Sequence, residues 1–465
     1  MGALFLHQLH DHLKSLRFQL SLLVVLLFFA GNGVIYAWKM ERLSRETASI
    51  AAQHERQYAD SRTLRQAVEQ SYQVLCPALG TEFMAEGGFN WFADAYTLPI
   101  SQQGGPPVPA NLRTTNNWMR KFDVIDWAFI VRIALSFLCI VLAYDAVGGE
   151  AESGTLRLVL ANPLARGRFL AAKFLAHLAI LLVTAVAGGL LSLLILSLQG
   201  AIVLDARLLQ ACLLFLLGTA LYLAFFLSLS LAISALARTA AASLVLLVMA
   251  WAVLVVLIPQ SSYLVGVRAV DPPENFWEKN VRLMEEARQA LANAGIALRG
   301  PEAGRLDRFA LEQRYTGRLQ EAAEEAEQNV LRADEQLLRR YRVARSVNLI
   351  SPGFAFQYSV EALLGTGLAR RQHFFQQARR YRQELREFFR QYDAADPDSP
   401  HVYFLPAYMS ARPLDPALIP RFREAPLSFG ESLETGLVPL LVLALEAGLA
   451  GVLALWAFNR LDLTA

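Results

Sequence analysis

The sequence predicts an all-α integral membrane protein, with about six transmembrane helices and a mainly α-helical extracytoplasmic domain built from two insertions. Three observations predict it. The chain of 465 residues is 55% hydrophobic and only 18% charged, with a mean hydropathy of +0.33, where a soluble chain carries about 25% charge. The apolar residues gather in blocks of about 20 to 30, long enough to cross a ~30 Å hydrocarbon core at about 1.5 Å per residue. Between the blocks lie segments as charged as soluble domains. The formal net charge of +2 argues against nucleic acid as a partner.

Residues 1–16 read as an amphipathic helix lying in the membrane interface, with Leu4, Phe5, Leu9 and Leu13 on one face. The first span, 17–38, has the apolar length of a signal peptide but continues through Gly31–Trp38 into Lys39, Arg42 and Arg45 without a cleavage pattern, so it reads as an uncleaved helix. The first insertion, 39–125, opens with a charged helical stretch, Met40–Gln73, and continues as turn-rich sequence broken by Gly87-Gly88 and Gly104–Pro107. Four spans follow within 126–260, at about 126–144, 169–199, 208–236 and 239–260, and the last at 433–458 within the terminal segment 433–465. Trp127, Trp251 and Trp456 sit towards span ends, where interfacial aromatics gather.

The second insertion, 261–432, carries a heptad stripe at Leu319, Ala323, Ala326, Val330, Ala333 and Leu337. With Trp277, Val281, Met284 and Leu291 upstream, it predicts a helical hairpin turning at Gly295–Gly304. A basic helix follows at about 368–393, with Arg370, Arg371, Phe374, Phe375, Arg379, Arg380, Tyr381, Arg382, Phe388 and Phe389. It reads either as a core stripe with a solvated face or as a surface for anionic membrane lipid or a partner. Cys139 and Cys212 fall in apolar blocks and Cys76 stands alone in a polar one, so no structural disulfide and no zinc site is expected.

An even number of spans puts both termini on one side. Arg157, Arg166, Arg168, Lys173, Arg238 and Arg460, on short loops and the tail, place that side in the cytoplasm. Lys39, Arg42, Arg45, Arg120 and Lys121 point the other way but lie in a loop too long to count. Both insertions are then extracytoplasmic.

The segment from Tyr144 to Arg166 carries the functional signal. Acidic residues and Ser153 precede an apolar turn, Leu156–Leu160, as suits a helix start. Asn162-Pro163 ends that turn, because the residue before proline avoids the helical region. The product is a short helix across the membrane face between two spans, a handle for a cytoplasmic partner. This segment resembles the first cytoplasmic loop of the permease subunits of type-2 ABC exporters, at Glu150, Glu152, Gly154, Thr155, Leu156, Pro163, Arg166 and Lys173. The resemblance covers 126–260, and Ser351–Phe389 resembles an extension found in some of these permeases. It implies that 145–168, with Arg157 on its apolar turn, carries a coupling helix docking on an ABC ATPase subunit. It also implies a second permease, identical or sister, as a dimer, and a bacterial cytoplasmic (inner) membrane.

No G-x-x-x-x-G-K-[ST] sequence occurs, so this chain is expected to bind no cofactor, with ATP and Mg in the partner ATPase. Arg132 and Glu446 lie at depths where an ionisable group costs about 2.5–3.5 kcal/mol or more unless paired or hydrated. They either line a transport path, as a pair, or are satisfied locally. His177 reads as a packing or interfacial residue. Three functions remain open: an exporter permease with no catalytic residues of its own, whose extracytoplasmic domains gate or hand substrate to a partner; mechanotransmission to the extracytoplasmic hairpin without transport; and an ATPase-free receptor or assembly factor, for which 150–166 would be dispensable.

Overall fold

The computed structural model describes residues 8, 10, 14–86, 95–101, 108–110, 125–160, 165–237, 239–271, 275–297, 308–399, 401, 403–404, 406 and 409–461. Most of the expected interfacial helix at 1–16, Arg238, both glycine-rich breaks of the first insertion and most of the hairpin turn lie outside them.

Six helices are long and apolar enough to span a membrane: Leu16–Arg42, Trp127–Glu152, Arg166–Leu198, Ala206–Leu236, Ala240–Ala269 and Phe429–Arg460. Side chains set their starts. The first belongs to α1 (Leu16–Asp60), capped by Ser15 Oγ on the Phe18 amide at 3.2 Å. Asp205 caps α8 (Ala206–Leu236) at 2.8 Å, and Ser428 with Glu431 forms a capping box on α15 (Phe429–Arg460). The second span starts as α3 (Trp127–Phe129), passes through a π segment at Ile130–Leu135 and continues as α4 (Ser136–Ala143). The fifth runs from α9 (Ala240–Trp251) through a π segment at Ala252–Leu257 into α10 (Ile258–Ala269). Residues 261–269, expected in the second insertion, therefore prolong the fifth span.

The spans close on an aromatic core. Phe29 of α1 meets Trp127 at 5.6 Å, Trp127 meets Phe215 of α8 at 5.5 Å, and Phe215 meets Phe356 at 5.9 Å between ring centres. A polar chain threads it: Trp127 Nε1 donates to Ser192 Oγ (3.1 Å), which donates to Asn32 Oδ1 (2.8 Å). Asn32 in turn donates to the carbonyls of Phe83 and Ile125, ending the chain with every member partnered. Ser192 lies on α7 (Arg166–Leu198). Leucines and valines such as Leu20, Leu190, Leu213, Val245 and Leu449 face outward, where lipid takes the place of water.

The extramembrane part departs from the expected helices in one place. The charged stretch Met40–Gln73 is not one helix: α1 ends at Asp60, Thr63 caps a short α2 (Leu64–Glu69), and β1 (Ser71–Leu75) follows. Alternating burial of Tyr72 and Val74 suits a half-buried strand. β1 pairs antiparallel with β2 (Ala95–Pro99), Ser71 opposite Pro99 and Leu75 opposite Ala95, and β2 pairs antiparallel with β3 (Val108–Ala110). Residues of α2, β1 and β2 pack in one core with Phe374, Ala378, Tyr381, Leu385 and Phe389 of α14 (Leu368–Ala394). Both insertions thus build one domain, with α14 at its centre. Arg370, buried, pairs with Glu82 at 3.6 Å and Glu424 at 3.3 Å, while Arg382, also buried, pairs with Glu327 at 2.8 Å. These two arginines of the basic helix hold the domain together from inside.

The hairpin forms from α11 (Phe276–Ala297) and α12 (Arg308–Asn348). Leu319, Ala326 and Ala333 are buried as expected, but Ala322 and Asn329 take the alternate positions in place of Ala323 and Val330, and Trp277 and Val281 face outward. The seam passes through a buried asparagine pair: Asn280 donates to Ala326 O (3.0 Å), and Asn329 donates to Asn280 Oδ1 (2.9 Å). From α12 the chain returns to the bundle as α13 (Pro352–Leu363), buried almost all round against α8 and α15.

Candidate functional site

The candidate coupling segment is a pair of short helices, α5 (Gly148–Glu152) and α6 (Thr155–Leu160), folded against one end of the bundle. The chain reverses at Gly154, whose φ of +73° falls where a side chain is disfavoured. Ser234 Oγ of α8 accepts the amides of Val147 (3.1 Å) and Gly148 (3.0 Å), fixing where α5 begins. Lys173, almost fully buried in α7, donates to Ala146 O (2.6 Å) and Glu150 Oε1 (2.5 Å). Glu152 Oε1 accepts from the Ala240 amide at 2.9 Å, so it caps α9 together with Thr239. Leu156 is fully buried in an apolar cluster with Val147, Phe169, Leu231 and Phe458, which joins α7, α8 and α15 beneath the loop. Thr155 Oγ1 reaches the Glu150 carbonyl at 3.3 Å and tightens the reversal. Arg166 Nη1 donates to Asn459 O (2.9 Å), tying the start of α7 to the end of α15.

The expected residues therefore divide. Glu150, Leu156 and Lys173 point inward and hold the loop; Glu152 is exposed but engaged with α9; Thr155 and Arg157 lie on the exposed side. Pro163 falls outside the described residues. Several contributors carried no sequence signal of their own. Ser234 lies in an apolar span, and Arg17, at the start of α1, donates to Tyr144 Oη (2.8 Å) and Asp145 Oδ2 (3.2 Å). His177 sits with its ring nitrogens 2.7 Å from Lys173 O and 3.1 Å from Leu142 O, bridging α7 and α4.

At the opposite end of the bundle Arg132 lies in the first π segment. Its Nη1 donates to Gln357 Oε1 of α13 at 2.6 Å, and its guanidinium stands 4.7 Å from the Phe354 ring centre. Gln357 donates onward to Glu361 Oε1 at 2.7 Å. Burial raises the Glu361 carboxyl to about 7, despite the Gln357 hydrogen bond and the nearby arginines that lower it. The π geometry frees carbonyls, and side chains claim them: Arg132 O accepts from Ser136 Oγ (2.5 Å) and Tyr222 Oη (2.8 Å), and Leu254 O accepts from Ser351 Oγ (2.5 Å). Glu446 is half-buried on α15, with Oε2 lacking a hydrogen-bond partner among the described residues. No ion pair joins Arg132 to Glu446.

Comparison with known proteins adds three findings. A family model described as "ABC-2 family transporter protein" matches residues 3–463. A protein of Pseudomonas aeruginosa named "Probable ABC transporter permease protein NosY" is 35% identical over 124 residues, 26% of this chain and 40% of the relative. A protein of the same name from Stutzerimonas stutzeri is 41% identical over 54 residues, 12% of this chain and 20% of the relative. The chain thus spans less than half the length of the curated relatives it matches.

Proposed function

We propose that this chain, which belongs to the ABC-2 family of transporter proteins, is the permease subunit of an ATP-driven exporter and takes its energy from a separate cytoplasmic ATPase through the loop 145–168. The observation that carries the proposal is the loop's construction: Lys173, Glu150, Ser234 and Leu156 fix it from inside, while Thr155 and Arg157 remain on its exposed side. A handle that transmits force must be rigid at its base and open at its surface. Arg157→Glu reverses the charge on that exposed surface and leaves the Thr155 contact to the Glu150 carbonyl in place. Purification from native membranes should recover a P-loop ATPase with the wild type and lose it with the variant at unchanged thermal stability. Recovery of the same ATPase with both, or with neither, overturns the proposal.

On this reading both termini and the loop face the cytoplasm, ATP and Mg belong to the partner ATPase, and a second permease completes the assembly. Substrate would pass along the interface of the two permeases. Mechanotransmission is favoured by one specific observation: between the spans of this chain lies a packed aromatic core, with α13 wedged into the end opposite the loop 145–168. The polar path required of a single-chain carrier is filled by Phe29, Trp127, Phe215, Phe356 and Tyr222. Removing 275–347, joined by a short linker, separates the two readings. Export that survives the removal supports the permease reading; a cargo-free ATPase cycle whose only loss is a partner's activation supports mechanotransmission.

A further inference from the structure

The helix α1 does more than cross the membrane. It is continuous from Leu16 to Asp60, 45 residues, and at about 1.5 Å per residue this is close to 70 Å, over twice a ~30 Å hydrocarbon core. Beyond the span every described side chain from Glu41 to Arg56 is exposed except the half-buried Ile50. A helix whose described side chains are mostly exposed suits a bridge between bodies, and the Glu41–Arg45 pair one turn apart supports it there.

Each end is fastened to a different working part. At one end Arg17 holds Asp145 at 3.2 Å and Tyr144 at 2.8 Å, the first residues of the coupling segment. At the other, Tyr58 Oη lies 3.0 Å from Tyr381 Oη of α14, the Tyr58 ring is 5.5 Å from Tyr72 of β1, and Arg421 pairs with Glu55 while standing 5.2 Å over Tyr58. In the middle, Tyr36 and Lys39 both hold Glu86, and Asn32 holds Phe83 O, so the strut runs through a collar at the membrane surface.

We infer that α1 is a transmission strut: it carries displacement of the cytoplasmic loop at Asp145 directly to the extracytoplasmic domain at Tyr381 and Arg421, in one rigid piece. The inference rests on the ATPase-coupling reading above and assigns the path by which that coupling reaches the far side. A continuous helix resists compression and rotation along its axis, because every turn is hydrogen-bonded to the next. A flexible break in its stretch between the membrane and Glu55 should therefore disconnect the two ends while leaving both fastenings in place.

The test is hydrogen–deuterium exchange of the complex purified from native membranes, with and without ATP and vanadate. It compares wild type, an insertion of three glycines after Ser49, and the same insertion after Ala201 in the turn between α7 and α8. Point variants that keep the helix intact, Asp145→Asn at one end and Glu55→Gln with Tyr58→Phe at the other, test the fastenings separately should the insertion impair assembly. In wild type, nucleotide should change exchange in both 145–160 and α14. The insertion after Ser49, and each set of point variants, should abolish the change in α14 and preserve it in 145–160, whereas the insertion after Ala201 should leave both. An α14 response that persists in the Ser49 insertion and in the point variants overturns the strut and hands its role to α13 and α15. Absence of a response at 145–160 in wild type overturns the coupling reading itself.

Discussion

Replacing Lys173 by methionine tests whether the loop is held from inside. The substitution keeps the length of an unbranched side chain and removes the ammonium that donates to Glu150 Oε1 and Ala146 O. Among the described residues Glu150 Oε2 has no hydrogen-bond partner and Lys173 is the charged contact of its carboxylate, which the substitution removes. A charge-assisted hydrogen bond contributes about 1.5–3 kcal/mol, and breaking a fully buried ion pair costs about 3–5 kcal/mol. Glu150 keeps 31% of its side-chain exposure, so water recovers part of this and the lower range applies, about 2–3 kcal/mol. Because about 1.4 kcal/mol is tenfold, local opening of 145–160 should rise roughly 30- to 150-fold, read as faster hydrogen exchange there with the exchange of α8 unchanged. The double variant with Glu150→Met removes the stranded carboxylate and should recover most of the protection. A Lys173→Met protein whose loop exchanges within about threefold of wild type, a shift under about 0.7 kcal/mol, would refute the claim that this pair holds the loop.

Other consequences follow from neighbouring geometry. Arg370→Met leaves Glu82 and Glu424 without their shared cation and the Pro77 carbonyl without its donor; it should destabilise the extramembrane domain by about 3–5 kcal/mol, seen as selective proteolysis there while the bundle stays protected. Glu361 is fully buried with its folded value raised to about 7 from 4.5, so the unfolded chain gives up this proton first as pH rises and stability falls between about 4.5 and 7, by about 3 kcal/mol in all. Thermal unfolding in detergent should show Glu361→Gln more stable than wild type at pH 8 and no more stable at pH 4. A methyl group at Gly188 collides with the Phe29 ring, so Gly188→Ala should push α1 from α7 and cost about 1–3 kcal/mol, measured as a lower unfolding temperature. Asn280→Leu with Asn329→Leu should raise hairpin stability while loosening its register, detectable as a lower yield of the disulfide between cysteines placed at Lys279 and Glu325.

The sequence exposed what depends on local pattern and hid what depends on distant partners. Six spans could be read because twenty apolar residues in a row have few other uses. The heptad stripe of α12 was legible at Leu319, Ala326 and Ala333, but the choice of Ala322 over Ala323 depends on how α11 approaches, which no single helix encodes. The sheet was missed because its strands are three to five residues long and separated by unrelated sequence; only the alternation at Tyr72 and Val74 marked it. The basic helix left two readings open, a core stripe with a solvated face or a binding surface, because Arg370 and Arg382 find their carboxylates at Glu82, Glu424 and Glu327, far away in the chain. In the candidate coupling segment the resemblance picked out Glu150, Leu156 and Lys173, yet nothing local reveals that these three turn inward. Arg17 and Ser234, which fasten the same loop, belong to other spans.

The π segments at Ile130–Leu135 and Ala252–Leu257 make residue count, as well as hydrophobicity, a condition of the fold. A π turn holds one residue more than an α turn, so the two halves of each span are out of phase by about 100°. Deleting one residue there would restore regular winding and swing Asp126–Phe129 around the axis relative to Ser136–Ala143. Trp127 would leave Ser192, and Asp126 would leave the Glu86 amide it now accepts at 2.8 Å. A substitution at an outward-facing position of these spans can be absorbed by lipid; a one-residue deletion would rotate one part of the protein against the rest.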